Sequence, residues 1–191
     1  ALGPAVVGLD PHLDRLPAPF VPALQTGNLE HSAQAVEQFC LGVVDAVAPL
    51  VVAVKPQVAF FEALGSHGVR ALESVVAAAK RAGLLVILDA KRGDIGSTAE
   101  AYALATVDDE GPLGADALPI SPYLGAESLH PFLRRCGGKG LFVLLRTSNP
   151  GSHEWQHRGD GAIAPRVAKW VAEQNLKQIG PSGLGSVGVV V

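Results

Sequence analysis

The sequence predicts an α/β protein built on parallel strands, either a doubly wound sheet or a (β/α)8 barrel. Three observations carry that. Short runs such as "LVVAVK" (50–55), "LLVILDAK" (84–91) and "SVGVVV" (186–191) are apolar on both faces, as strands buried between helices must be. Between such runs lie longer stretches with helical periodicity, so strand and helix alternate strictly. With 191 residues, 48% hydrophobic and 17% charged, the chain has enough apolar surface for one well-cored domain.

In order, "PAVVGLD" (4–10) is the first strand, followed by a proline-rich loop and a helix over residues 30–48. "LVVAVK" (50–55) is the second strand, and residues 68–83 form a helix that Gly83 stops. "LLVILDAK" (84–91) is the third, and "STAEAYALAT" (97–106) the helix after it, with Ser97 placed to cap it. "ADALPIS" (115–121) is a fourth strand, although Pro119 within it removes a ladder donor. A helix over 126–138 leads to a fifth strand, "GLFVLLRTS" (140–148). A helix over 161–177 and a strand over 186–191 complete six units. A closed barrel needs eight strands and typically about 250 residues. If the fold is a barrel, two strands are expected beyond these six.

Composition narrows the function classes. A net charge of −3, from 15 basic and 18 acidic residues, gives no general attraction to nucleic acid or to an anionic membrane. No apolar run reaches the roughly 18 residues of a membrane span, and the first residues do not read as a signal peptide. Cys40 and Cys136 lack CxxC spacing and read as reduced core residues of a cytoplasmic protein. The sequence contains no methionine, even at position 1, which suggests a processed or partial product.

Function in parallel α/β folds gathers at the C-terminal ends of strands. Asp10, Lys55, Asp89 with Lys91, Ser121 and Ser148 stand at such ends. A lone charge there is usually a solvated strand end. Three successive strands ending in Asp or Lys suggest instead a cluster in which opposite charges permit mutual burial. Asp89 and Lys91, two apart on an extended strand, are expected to face the same side. Carboxylates flanking Lys91 would keep it protonated, and so a proton donor to something electron-rich.

The segment "DAKRGD" (89–94) resembles the D-x-K-x-x-D signature of the orotidine 5′-monophosphate decarboxylase family. The blocks "VVGLDPH", "VKPQVAFFEALG", "LDAKRGDIGSTAEAYA", "SPYLG" and "LLRTSNPGS" resemble its bacterial branch, in family order, from Val6 to Val191. A bare DxKxxD is shared with related phosphosugar lyases and synthases; the five blocks together are far more specific. The resemblance implies a (β/α)8 TIM barrel, with about six of eight βα units in residues 1–191, as a single domain. It implies a cytoplasmic homodimer with shared active sites, no cofactor, no metal, and no nucleic-acid or membrane partner. The implied reaction is decarboxylation of orotidine 5′-monophosphate in pyrimidine synthesis. Asp10 would bind the ribose, Lys55 would bond the ribose and brace the carboxylates, and Asp89 would face the substrate carboxylate. Lys91 would protonate C6. Asp94, Ile95 and Thr98 would reach the neighbouring subunit's site, and Ser148 would bond the pyrimidine amide edge. The family's phosphate-gripping loop after strands seven and eight, and a helix before strand one, have no counterpart among these residues.

Other motifs read as incidental. "HEWQH" (153–157) matches H-E-x-x-H, but glycines and Pro150 bracket it and no third zinc ligand suggests itself, so a loop after strand five is expected. "GLGSVG" (183–188) precedes a strand instead of following one, and reads as a turn. "RGD" occurs at 92–94 and 158–160, the second in a polar loop. Phe60 and Phe61 are expected in the core, and Tyr123 packed within its loop. Three alternatives remain: a Mg2+-dependent sugar-phosphate decarboxylase or synthase, a Schiff base at Lys91, and a non-catalytic nucleotide-binding barrel. Lys55 at the end of strand two disfavours the first, and flanking carboxylates disfavour the second.

Overall fold

The computed structural model describes residues 3–156 and 163–191, which fall into two compact units, residues 1–90 and 91–191. In the first, strands β1 (Gly3–Leu9), β2 (Val51–Pro56) and β3 (Leu85–Val86) form a parallel sheet in the order β1-β2-β3. Helices α1 (Val21–Leu24), α2 (Leu29–Val47), α3 (Val58–Glu62) and α4 (Gly65–Arg81) connect them. The proline-rich stretch after β1 is not plain loop but two short 3-10 turns, Leu13–Arg15 and Ala18–Phe20.

Helix α2 begins where Asn28 accepts a hydrogen bond from the Glu30 amide at 2.8 Å, a side-chain N-cap. Its Val36, Cys40 and Val44 recur every fourth residue and are buried. Leu72, Val75, Val76 and Ala79 of α4 are buried likewise, as are Val54, Phe61, Val86 and Leu88. Helix α3 was not foreseen, because five residues are too few to show a helical period. The corner from α3 into α4 needs glycine: a Cβ on Gly68 would stand 1.9 Å from the Phe61 carbonyl oxygen. Gly83, with φ of 78°, ends α4 as expected.

Strand three is shorter than the predicted 84–91. Beyond Val86 the chain keeps single ladder bonds, from the Ile87 amide to Val54 and from the Asp89 amide to Pro56, at 2.9 and 3.0 Å. Lys91 then adopts φ of 47°, the left-handed region. The continuous strand expected through Lys91 is therefore corrected to an extended chain that stops before it.

The second unit holds α5 (Gly96–Thr106), β4 (Ala117–Ile120), α6 (His130–Arg135), β5 (Gly140–Leu144), α7 (Ser152–Trp155), α8 (Ile163–Leu176) and β6 (Val187–Val190). Its strands run parallel in the order β4-β5-β6 over a core that includes Leu118, Ile120, Leu129, Phe132, Leu141 and Val143. Pro119 pairs with Phe142 inside β4, and the ladder explains why it is tolerated. Asp116 accepts from Gly140 of the β5 side, whereas the Ser121 amide donates away from β5, to the Arg92 carbonyl at 2.8 Å. Pro119 shares the parity of Ser121, so its missing N–H falls on the outer side of an edge strand.

Ser97 does not cap α5. The N-cap is Ile95, and Ser97 lies inside the first turn. Strand five ends at Leu144, so Ser148 sits in the loop beyond it and not on the predicted strand. Of "HEWQH", His153, Glu154 and Trp155 belong to the single turn α7. His157, the second "RGD" and the start of the 161–177 helix lie outside the described residues. "GLGSVG" opens in a turn as expected, closed by the Gly180 amide donating to Leu184 at 2.9 Å, and its Val187 and Gly188 begin β6. Cys40 and Cys136 are free and buried.

A polar girdle ties the α5 end of this unit to α6. Arg135 donates to Glu100 Oε2 and to Asp108 Oδ2, each at 2.8 Å, and Arg134 also bonds Glu100. Lys139 Nζ donates to the Val107 carbonyl at 2.7 Å and to Asp109 at 2.6 Å. Arg135 and then Arg134 hold the Glu100 carboxyl below its ordinary range. The Glu110 amide, followed by Arg135, does the same for Asp108.

Candidate functional site

The C-terminal edge of the first sheet concentrates charge. β1 and β2 are in register with Gly8 opposite Lys55 and Leu9 opposite Pro56, which brings Asp10 to the same end as Lys55. Gln57, one residue past β2, bridges to Asp89 in the next strand position. Asp89 is only 5% exposed, and its Oδ2 accepts from Lys55 Nζ at 2.7 Å and from Gln57 Nε2 at 3.0 Å. A carboxylate buried this deeply is tolerable because a cation and an amide solvate it in place of water. Lys55 keeps about a third of its side chain in solvent. The strand-end expectation thus holds for Lys55 and Asp89, which the fold brings into contact.

Asp10 is exposed, and its Oδ2 occupies the space above Gly8, where an added Cβ would stand 2.7 Å away. Glycine at 8 is what leaves that space. The Asp10 charge also bears on the thiol of Cys40, whose pKa burial in the first place pushes up to about 12. His12 packs against Phe60 with the rings tilted by 56° and their centroids 4.2 Å apart; Phe60 is half-buried at this edge, while Phe61 lies in the core. Neither Gln57 nor His12 was singled out from the sequence. The signal for Gln57 is its place two residues after Lys55, on the same face.

The second unit carries the remaining candidates. Lys91 is exposed, and among the described residues it is the one non-glycine with positive φ. Left-handed backbone in a long side chain is a local cost that functional sites often retain. The two residues after it are anchored. Arg92 sits over the Tyr102 ring at 5.4 Å, and Gly93 passes so close to strand four that a Cβ there would meet Ser121 Cβ at 3.1 Å. Asp94 is half-buried, with Oδ1 accepting from the Ile95 amide at 2.7 Å. Ile95 and Thr98 are both exposed at the start of α5. The exposed Ser148 follows Thr147, which Gln156 clamps: its Oε1 accepts from the Thr147 amide at 2.8 Å and its Nε2 donates to Thr147 Oγ1 at 2.9 Å. Gln156 also lines a cavity of about 350 Å³ with Trp155 and Tyr123. Tyr123 is 73% exposed, which corrects the expected packing within its loop.

Among the described residues, no group of three or more His, Cys, Asp or Glu is placed to hold a metal ion, and no helix is long and apolar enough to cross a membrane.

Parallel strands joined by helices, with charges at their C-terminal ends, define the class: an α/β protein of the (β/α)8 barrel kind, with about six of the eight βα units represented. A crystal structure from Streptomyces avermitilis matches 99% of this chain and 64% of its own, at a TM-score of 0.82 and 45% identity. Leishmania donovani OMP decarboxylase matches 97% of this chain and 64% of its own, at 0.73 and 38%. Orotidine 5′-phosphate decarboxylase of Rhodopirellula baltica is 48% identical over 97% of this chain. The chain spans 64% of the length of that relative. Residues 6–191 match the family described as Orotidine 5′-phosphate decarboxylase / HUMPS, and the chain belongs to that family.

Proposed function

We propose that the protein decarboxylates orotidine 5′-monophosphate to uridine 5′-monophosphate and CO2, a step of pyrimidine synthesis, without cofactor or metal. The observation that carries this reading is the buried Asp89 carboxylate held by Lys55 and Gln57 at the end of the first sheet. Family membership supports it. In this reading residues 1–191 belong to a single barrel domain of a cytoplasmic homodimer whose partners are its substrate and a second copy of itself. No nucleic acid or membrane takes part.

Asp10 and Lys55 hold the ribose, and Asp89 faces the substrate carboxylate. The C6–carboxylate bond breaks, CO2 leaves, and the electron pair stays on C6 in the ring plane, where π-resonance cannot spread it. The Lys91 ammonium stabilises that charge and transfers a proton to C6; the resulting amine regains its proton from solvent. Asp94, Ile95 and Thr98 extend to the neighbouring subunit's substrate, and Ser148 bonds the pyrimidine amide edge. A unit charge pair at about 4 Å gives roughly 4 kcal/mol at an effective dielectric of 20, or about three decades of rate. The remainder falls to binding energy from ribose and phosphate, and to crowding of the substrate carboxylate by Asp89.

Oδ2 of Asp89 already accepts from an internal ammonium and an amide, so a divalent cation seated there would have to displace Lys55. That arrangement supports metal-free turnover. The test is an absorbance assay of orotidine-monophosphate loss by the full-length protein, with and without EDTA, beside Lys91→Ala. Turnover indifferent to EDTA and lost in Lys91→Ala is expected. Turnover that EDTA abolishes points to a metal-dependent sugar-phosphate relative. Near-normal rates in Lys91→Ala remove the proton-donor role. Mixing Lys91→Ala with Asp94→Ala restores part of the activity if sites are shared between subunits.

A further inference from the structure

We propose that Gln57 is a positioning residue for the reaction, holding Asp89 in its working orientation through the Nε2–Oδ2 hydrogen bond. The inference rests on the decarboxylase reading for its kinetic consequences and on geometry for its existence.

Gln57 occupies the N-cap of α3, a position that favours Ser, Thr, Asn or Asp because their side chains bond the first free amides of the helix. Gln57 does no such capping. Its side chain turns instead to Asp89, donating at 3.0 Å to the oxygen that also takes Lys55. Forgoing a local stabilisation to serve a distant group is the pattern expected of a functional position.

Its backbone is fixed on both sides. The Gln57 amide donates to the Leu9 carbonyl of β1 at 3.0 Å, and the next amide, Val58, donates to the Asp89 carbonyl at 3.2 Å. The amide-bearing side chain therefore starts from a platform bonded to the strands on either side, one of which carries its target. An ammonium is a point charge that follows an oxygen wherever it moves, whereas an amide N–H donates along a direction fixed by its plane. A donor of that kind on the oxygen that also takes Lys55 narrows the orientations open to the carboxylate. A neutral amide does this without adding charge, so the balance between Lys55 and Asp89 is untouched.

The experiment compares full-length wild type with Gln57→Leu, which keeps size and loses the donor, and with Gln57→Glu, which sets a second carboxylate beside the first. Gln57→Leu should lower kcat by about tenfold or more with little change in KM, the scale of one hydrogen bond to a charged group. The acid limb of its kcat/KM profile should move to higher pH, because the ionised carboxylate has lost a donor. Gln57→Glu should fall further. A Gln57→Leu enzyme with wild-type kcat and an unmoved profile overturns the proposal, as does a kcat loss that only tracks a lower thermal midpoint. If wild type itself does not consume orotidine monophosphate, the decarboxylase reading fails separately. The positioning claim is then read from the carboxyl 13C resonance of Asp89: an upward-shifted titration in Gln57→Leu supports it, and an unchanged one overturns it.

Discussion

The two units each contain a cluster of opposite charges, and the clusters differ in what surrounds them. In the first, one carboxylate is almost wholly buried and gathers Lys55 and Gln57 on a single oxygen at the end of a sheet. In the second, Arg134, Arg135 and Lys139 spread over Glu100, Asp108 and Asp109 in a girdle with solvent beside it. The girdle's ion pairs join α5 and the loop after it to α6 and the turn that follows. Burial, not the number of pairs, sets the two clusters apart: breaking a buried pair strands a charge away from water, and breaking an exposed one does not.

The sharpest way to break that contrast is Lys55→Met. It leaves the Asp89 carboxylate without its Lys55 cation, and unfolding in denaturant should show a loss of about 3 kcal/mol, the low end for a broken buried pair because Lys55 keeps some water. The deficit should grow with rising pH, since a buried carboxyl that has lost a neighbouring cation resists ionisation. Next comes Lys91→Gly. Glycine relieves the left-handed backbone but has more freedom to lose on folding, so stability should rise by about 0.5 kcal/mol while turnover disappears. A simultaneous fall in stability would show that Lys91 is structural.

Arg135→Ala should cost less stability than Lys55→Met, and its effect should shrink in high salt. Glu100 and Asp108 have folded pKa values below their ordinary 4.5 and 3.8, so the girdle's contribution is present above that range. It is lost as pH falls through the lower, folded values. Acid unfolding curves of wild type and Arg135→Ala should therefore converge at the acid end. The smallest effect concerns the thiols, one in each unit. Burial raises the pKa of both Cys40 and Cys136, so iodoacetamide should modify neither in the native protein and both after unfolding. Rapid native labelling of Cys40 would mean that the first unit opens far more often than its packing implies.

Much of the fold is legible in the sequence. The helix expected over 30–48 is α2, and the strand over 50–55 is β2 within a residue, because both have unbroken apolar periods and clear stops. Strand three was drawn too long because the apolar run ending in Asp89 says nothing of the turn at Lys91, which is a backbone event. Strand five was overextended in the same way: after Leu144 the amides of both Leu145 and Arg146 converge on the Val190 carbonyl, and regular pairing ends. Lys55 and Asp89 announced themselves by charge at the end of apolar strands. Gln57 did not, since a neutral amide between a proline and a helix carries no such contrast. Ser97 looked like a cap by residue type alone, but Gly96 already begins the helix ahead of it.

Pro119 has a consequence for how the "DAKRGD" segment is anchored. On the outer side of strand four, the amide that would stand two residues before Ser121 does not exist. The Ser121 amide, bonded to the Arg92 carbonyl at 2.8 Å, therefore works beside a gap. Its deuterium uptake becomes a clock for how often the segment lifts from the strand, with no neighbouring proton at 119 to share the signal.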